Sequence, residues 1–171
     1  MEYNLIEVKK AKKGDATAFA NLYRQVYGDL FRFALYTLKN KEDAEDVVSE
    51  TVVDAFATIG QLRKEEAFKG WIFRILYNKC KDKLREYTKK NVELPEDYRE
   101  VPAEEKVEEG AVIRALFFEL GEEDRMIISM HLFAGYTSKE IAKLLHMNEN
   151  TVRSKESRAL KKLAALAEPA N

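Results

Sequence analysis

Apolar positions along this chain recur mostly at intervals of three and four, the period of a helix rather than of a strand. Asp15, a residue type suited to a helix N-cap, precedes Ala18, Phe19, Leu22 and Tyr23 on one stripe, which continues through Leu30, Phe31, Phe33, Ala34, Leu35 and Leu38. Asn40 or Lys41 interrupts it. The pattern then predicts a helix from about Glu42 to Ile59 and another from about Phe68 to Tyr87, so that residues 4–88 read as four helices in all. A second block, about residues 110–166, reads as four shorter helices. The first carries Val112, Ala115, Leu116, Phe118 and Leu120 and is stopped by Gly121; the second covers about Glu123 to Phe133 and is stopped by Gly135.

Between the blocks, residues 89–109 hold Pro95 and Pro102, eight acidic residues and four basic ones, with few apolar positions. Such a segment buries too little to offset its ordering entropy, and it reads as a flexible acidic linker, an ordered acidic loop being the alternative. The predicted fold class is therefore all-α, two small helical domains joined by that linker.

Tyr136–Leu163 holds the strongest local signal. Thr137 and Glu140 have capping-box spacing, and Ile141, Ala142, Leu144 and Leu145 give the buried face of a short helix. Residues 146–148 make a turn in which Met147 can fill the gap between helices and Asn148 can cap the next one. That next helix puts Val152, Ala159, Leu163 and Leu166 on one side and Asn150, Thr151, Ser154, Lys155, Arg158 and Lys162 on the other. From Thr151 to Leu163 five cations stand against the single acid Glu156, on a chain whose formal net charge is only −1. Small polar groups followed by Lys and Arg suit a helix-turn-helix recognition helix in a DNA major groove, whereas a solvated basic hairpin would be the bland reading.

Two faces of the first block go beyond packing. Asp43, Asp46, Glu50 and Asp54 fall within about 80° of helix surface by the 100° rotation per residue, beside a core stripe of Ala44, Val47, Val48, Thr51, Val52, Ala55 and Ile59. The stripe is either solvated or a docking face for a basic partner. On the next helix, Phe73, Leu76, Tyr77, Cys80 and Leu84 point inward, while Trp71, Arg74, Asn78, Lys81 and Arg85 line another face. An aromatic ring, an amide and cations make a single-strand platform, although Trp71 could equally be a core residue.

The composition excludes more than it identifies. One cysteine, Cys80, permits no disulfide within the chain, no stretch approaches the roughly 18 apolar residues of a membrane span, and the N-terminus has no apolar core of signal-peptide length; a cytoplasmic chain without membrane insertion is expected. The histidines, His131 and His146, sit on separate elements, and no Cys/His metal set, phosphate loop or nucleophile motif occurs, so neither an enzyme nor a metal or other cofactor is expected.

In their order, DAEDVVSETVVDAF, FKGWIFRILYNKCKDKLR, an acidic linker and TSKEIAKLLHMNENTVRSKESRALKKL, these motifs resemble the extracytoplasmic-function group of bacterial sigma-70 factors across residues 10–166. The resemblance implies a sigma domain 2-like unit in residues 1–88, which docks on core RNA polymerase through Asp43, Asp46, Glu50, Thr51 and Asp54. In that unit the loop 60–70, with Leu62 and Arg63, would capture a flipped base. Trp71, Arg74, Asn78, Lys79 and Lys83 would meet promoter DNA at the minus-ten element. Residues 89–109 become the linker. Residues 110–171 become a domain 4-like unit reading the minus-thirty-five element with Asn150, Thr151, Arg153, Ser154, Lys155 and Arg158. Core RNA polymerase, promoter DNA and an anti-sigma factor are the implied partners. His146 stands where glycine is usual, Asn148 where proline is common, Lys155 where arginine is common and Glu156 where an apolar residue is usual, which bears on base preference and on how the last helix packs. Two other readings share part of this pattern. A stand-alone regulator would use the helix-turn-helix without polymerase, and a protein-only adaptor would bind no DNA.

Overall fold

The computed structural model describes residues 3–90 and 107–167, and every regular element among them is helical. The chain divides into two compact units, Met1–Leu94 and Pro95–Asn171.

The first unit contains α1 (Leu5–Lys12), α2 (Ala16–Leu38), α3 (Lys41–Thr58) and α4 (Phe68–Lys90), with short 3-10 turns at Ile59–Gln61 and Glu65–Ala67. Side-chain caps set the starts: Asn4 accepts from the Ile6 amide, Asp15 from Ala18 and Asn40 from Asp43. Helix α2 ends at Lys39, which takes a left-handed φ of 54° and returns its amide to the Leu35 carbonyl. The core joins all four helices through Val8, Leu22, Leu30, Phe33, Ala44, Val48, Phe68, Ile72, Phe73, Leu76 and Cys80, and burial pushes the Cys80 thiol well above its ordinary pKa. Tyr23 and Phe31, expected on the buried stripe, lie at its half-buried edge instead. There Tyr23, Tyr27 and Phe31 make an i, i+4, i+8 ring ladder with centroids 5.6 and 6.1 Å apart.

The second unit contains α5 (Val107–Phe118), α6 (Glu122–Ser129), α7 (Ser138–Leu145) and α8 (Glu149–Ala167). Helix α6 continues as a π turn over Met130–Ala134, and Gly135, at φ 72°, stops it as expected. Gly121 differs from expectation: at φ −59° and ψ 155° it is the N-cap of α6 rather than a left-handed stop to α5. The core includes Phe117, Leu120, Ile127, Ile128, Met130, Ile141, Ala142, Val152 and Ala159. Leu163 is only half-buried and Leu166 exposed, so the apolar side of α8 is shorter than its sequence stripe. Helix α4 runs two residues past the expected boundary at 88, and α5 begins three before residue 110. The rest of the expected linker, 91–106, lies outside the described residues.

Candidate functional site

Helices α3 and α4 pack side by side, and that contact redistributes the charges read from the sequence. Lys79 reaches Asp54 at 2.7 Å and Glu50 at 3.2 Å, while Lys83 reaches Asp43 at 2.8 Å. The Tyr87 hydroxyl also donates to Asp43. Burial alone would lower the Lys79 pKa, but the hydrogen bonds that its ammonium donates to Asp54 and Glu50 outweigh it and raise it; for Lys83 the hydrogen bond to Asp43 is the leading cause of its rise. The acidic stripe is thus partly neutralised from within. Asp46 stays exposed and free of ion pairs among the described residues, and Glu50 and Asp54 keep their outer faces in solvent.

Thr51 is corrected by this geometry. It is 0% exposed and its hydroxyl donates to the Val47 carbonyl at 2.6 Å, so a partner docking on α3 cannot touch it. The same outer face presents residues that sequence reasoning passed over. Val53 is 66% and Phe56 45% exposed, and Ser49 is exposed beside them. Ser49, Glu50, Val53, Asp54 and Lys79 line a shallow, open groove. An apolar patch rimmed by acids has the composition common to docking surfaces, and the signal available in the sequence was a valine and a phenylalanine lying off the core stripe.

The outer face of α4 is more selective than its sequence. Arg74, Asn78 and Arg85 are exposed, and Trp71 is half-buried, its ring tilted against Phe68 at 6.2 Å, so it is not a core residue. Lys79 and Lys83 lie about 80° and 120° around the helix from Trp71, on the flank that meets α3. They do not join the strip formed by Trp71, Arg74 and Asn78. In the preceding loop Arg63 is exposed, but Leu62 is only 5% exposed and anchors the loop, which corrects its expected place at the surface. The loop is tied to the start of the chain by Lys12–Glu65 at 2.7 Å and by the Tyr3 hydroxyl donating to the Glu65 and Glu66 carbonyls. The Lys12 hydrogen bond is the main reason that the Glu65 carboxyl titrates below its ordinary range.

In the second unit the helix-turn-helix forms as the sequence predicts. The Thr137 amide donates to Glu140 at 2.8 Å and the Glu140 amide to Thr137 at 3.3 Å; the Thr137 amide and hydroxyl, both donating to the carboxylate, hold the Glu140 pKa down. Asn148 caps α8 by accepting from the Asn150 amide at 2.8 Å. His146 makes the turn with a left-handed φ of 55°, the conformation that glycine adopts most cheaply. Asn150, Thr151, Arg153, Ser154 and Arg158 are all exposed on α8. Lys155 is not equally available: it is held by Glu123 at 2.6 Å and Asp124 at 3.4 Å, both in the first turn of α6, and the Glu123 bond leads its raised pKa. Lys162 likewise donates to the Glu119 carbonyl at 2.6 Å. Glu156 occupies the buried position between Val152 and Ala159; it is 9% exposed and accepts from the Ser138 hydroxyl at 2.7 Å. The acid at an apolar position is therefore a polar pin between α8 and the first residue of α7.

Comparison with known proteins agrees with this division. The model of sigma-70 region 2 matches residues 22–90, and that of sigma-70 region 4 matches residues 111–163. The ECF RNA polymerase sigma factor SigM of Mycobacterium tuberculosis is 30% identical over 154 residues, covering 90% of this chain and 79% of SigM. The RNA polymerase sigma factor SigV of Bacillus subtilis is 31% identical over 135 residues, 78% of this chain and 81% of SigV. Among solved structures, CnrH in complex with the cytosolic domain of CnrY superposes with a TM-score of 0.66 at 25% identity, covering 95% of each chain. The sigma factor RpoE, solved with the anti-sigma factor NepR from Bartonella quintana, shares the fold with a TM-score of 0.72 at 22% identity, over 90% of this chain and 98% of that one. On these matches, and on the two helical units that carry them, the chain belongs to the ECF sigma factors of the sigma-70 family.

Proposed function

We propose that this chain binds core RNA polymerase, directs it to specific promoters and helps to open the DNA at the minus-ten element. The observation that carries the reading is the presence, in one chain and in family order, of a region 2 unit and a region 4 unit whose exposed faces have different chemistry. In this reading Asp46, Glu50 and Asp54 on α3, with Ser49, Val53 and Phe56 beside them, form the polymerase-docking face; Asp43 supports it from a half-buried pair with Lys83. Trp71, Arg74 and Asn78 meet the opened strand, with Arg63 from the preceding loop. Unstacking costs a few kcal/mol per base step, and stacking on a ring together with phosphate contacts offsets it without bond chemistry. Lys79 and Lys83 act by holding α4 against α3. Asn150, Thr151, Ser154, Arg153 and Arg158 read or grip the minus-thirty-five duplex, while Lys155 and Glu156 set the pose of α8.

The chain acts in this reading as an initiation factor in the cytoplasm and not as an enzyme. No helix among the described residues is long and apolar enough to cross a membrane. An inhibitory protein partner belongs to the same reading, supported by CnrH, whose structure was solved with the cytosolic domain of a second protein. The test is run-off transcription with purified core polymerase on DNA from upstream of the chain's own gene. A discrete transcript that requires the chain is expected; its absence across promoter fragments that the chain does bind would leave a stand-alone DNA binder.

A further inference from the structure

The charges of the first unit sort into two groups. Lys12, Lys69, Lys79 and Lys83 each have a carboxylate within 3.3 Å. Lys9, Lys10 and Lys13 on and after α1, and Arg63 and Lys64 in the loop before α4, are all exposed, and none has an ion pair among the described residues. These two segments are far apart in sequence but adjacent in the fold. Lys12–Glu65 joins them, Gly60 faces the Lys12 carbonyl at 3.6 Å, and Lys9 is close enough to contribute to the lowered Glu65 pKa. Tyr3 sets its ring edge-on to Phe68 at 5.5 Å, and Phe68 in turn touches Trp71 at 6.2 Å. Residues 9–13 and 61–66 together hold six cations and two acids.

The helix dipole accounts for lysines in the last turn of α1. It does not account for Arg63 and Lys64 being brought beside them without partners. Lys9 on α1 and Lys13 at its C-cap are four residues apart and so share one side, about 60° and 100° around from Lys12, which reaches the loop. A cluster of unpaired like charges repels itself and is relieved by a polyanion. Its neighbour in the fold is the half-buried Trp71 ring with an exposed arginine and amide beside it, the combination that suits a nucleic-acid strand.

We propose that Lys9 and Lys13, together with Arg63 and Lys64, form a phosphate-binding rim that grips the backbone of the single DNA strand whose bases meet the Trp71 face. The rim rests on reading that face as the surface for the opened minus-ten strand. Helix α1 then does two things: it braces the loop through Tyr3 and Lys12, and it lengthens the cationic track beyond α4.

The test uses the full chain assembled with core RNA polymerase. The probe is a DNA fork from upstream of the chain's own gene, with the non-template strand left single across the minus-ten region. Affinity is measured from about 50 to 200 mM salt for the wild type, for Lys9→Gln/Lys13→Gln, for each single lysine variant, and for Arg74→Gln. Each lost phosphate contact with a single strand flattens the slope of log K against log salt by about 0.7. The double variant is therefore expected to lose about 1.4 from the slope, so that across the fourfold salt range wild-type affinity falls about sevenfold further than its own. Each single variant should lose about half of that slope, and assembly with the polymerase should be unchanged. A wild-type slope in the double variant, with Arg74→Gln flattened, overturns the rim and leaves the Trp71 reading standing. Unchanged slopes in both overturn the rim and that reading together. Weakened assembly in the double variant, with the slope intact, assigns the rim to the polymerase and overturns it as a DNA surface.

Discussion

Helices α4 and α8 carry the largest numbers of cations among the described helices, and they use their surplus charge differently. Each sends part of it inward: Lys79 and Lys83 of α4 go to α3, and Lys155 and Lys162 of α8 go to the first turn of α6 and the end of α5. On α4 the carboxylates that receive the lysines belong to the face proposed for polymerase docking, so that face and the proposed strand-binding face are tied through one helix pair. For α8 the carboxylates Glu123 and Asp124 instead fix the pose of the helix, which Glu156 also pins through Ser138. The lesson is that a count of cations overstates the nucleic-acid contacts of both helices. Exposed and not tied to another element among the described residues are Arg74, Arg85 and Lys89 on one and Arg153, Arg158 and Lys161 on the other, the working inventory.

The largest expected effect is at α3. Reversing charge with Asp46→Lys/Glu50→Lys is expected to weaken polymerase binding about a hundredfold, since like charges facing each other across an interface cost several kcal/mol. The helix content should be unchanged, because Asp46 is exposed and Glu50 largely so. A competition assay for core polymerase reads this directly, and near-wild-type affinity would assign the acidic stripe to solvent.

The next largest effect separates two cations of α8. Arg158→Ala should lower duplex affinity about tenfold and flatten the salt slope by about 0.9, the value for one phosphate on duplex DNA. Lys155→Ala should change the slope little, because its ammonium already has two carboxylate partners, and should cost at most about 1 kcal/mol of stability as a largely solvent-screened network. Equal slope changes in the two variants would mean that the Lys155 pairs open on binding.

Smaller effects are expected at the turn. His146→Gly should stabilise the protein by about 1 kcal/mol, since a left-handed φ costs a non-glycine residue about 1–2 kcal/mol and the unfolded-chain entropy of glycine returns part of it. Thermal unfolding measures this change. The capping box gives the smallest and most specific signature. The Glu140 pKa is lowered on folding, so its contribution is present above the unfolded carboxylate value of about 4.3 and is lost as pH falls through the folded value. Glu140→Gln should therefore remove part of the stability difference between pH 7 and pH 3, about 0.5 kcal/mol for so exposed a group.

Much of the fold was legible because its signals are local. Asp15, Asn40, Thr137 and Asn148 cap helices within three residues of themselves, and Gly135 stops one by its own φ. The candidate site was legible as composition, a cationic helix after an acidic one, but not as contacts. That Lys79 belongs to Asp54, or that Lys155 belongs to Glu123, depends on how helices dock across 25 and 32 residues of sequence. Thr51 was read both as core and as contact; the structure keeps only the first. Leu62 looked like part of an open loop because nothing in GQLRKEEAFKG shows that the leucine turns inward. Glu156 was visible as an odd residue at an apolar position, and its partner Ser138, 18 residues earlier, supplies the reason.

The chain and the polymerase together are expected to open a promoter that neither opens alone. Permanganate reactivity of thymines around the minus-ten element tests it most directly, on duplex promoter DNA with the chain, the core enzyme, or both. Reactive thymines only when both are present, and their loss with Trp71→Ala, are the predicted result. Thymines that stay unreactive in the presence of both, on DNA shown to be occupied, would contradict it.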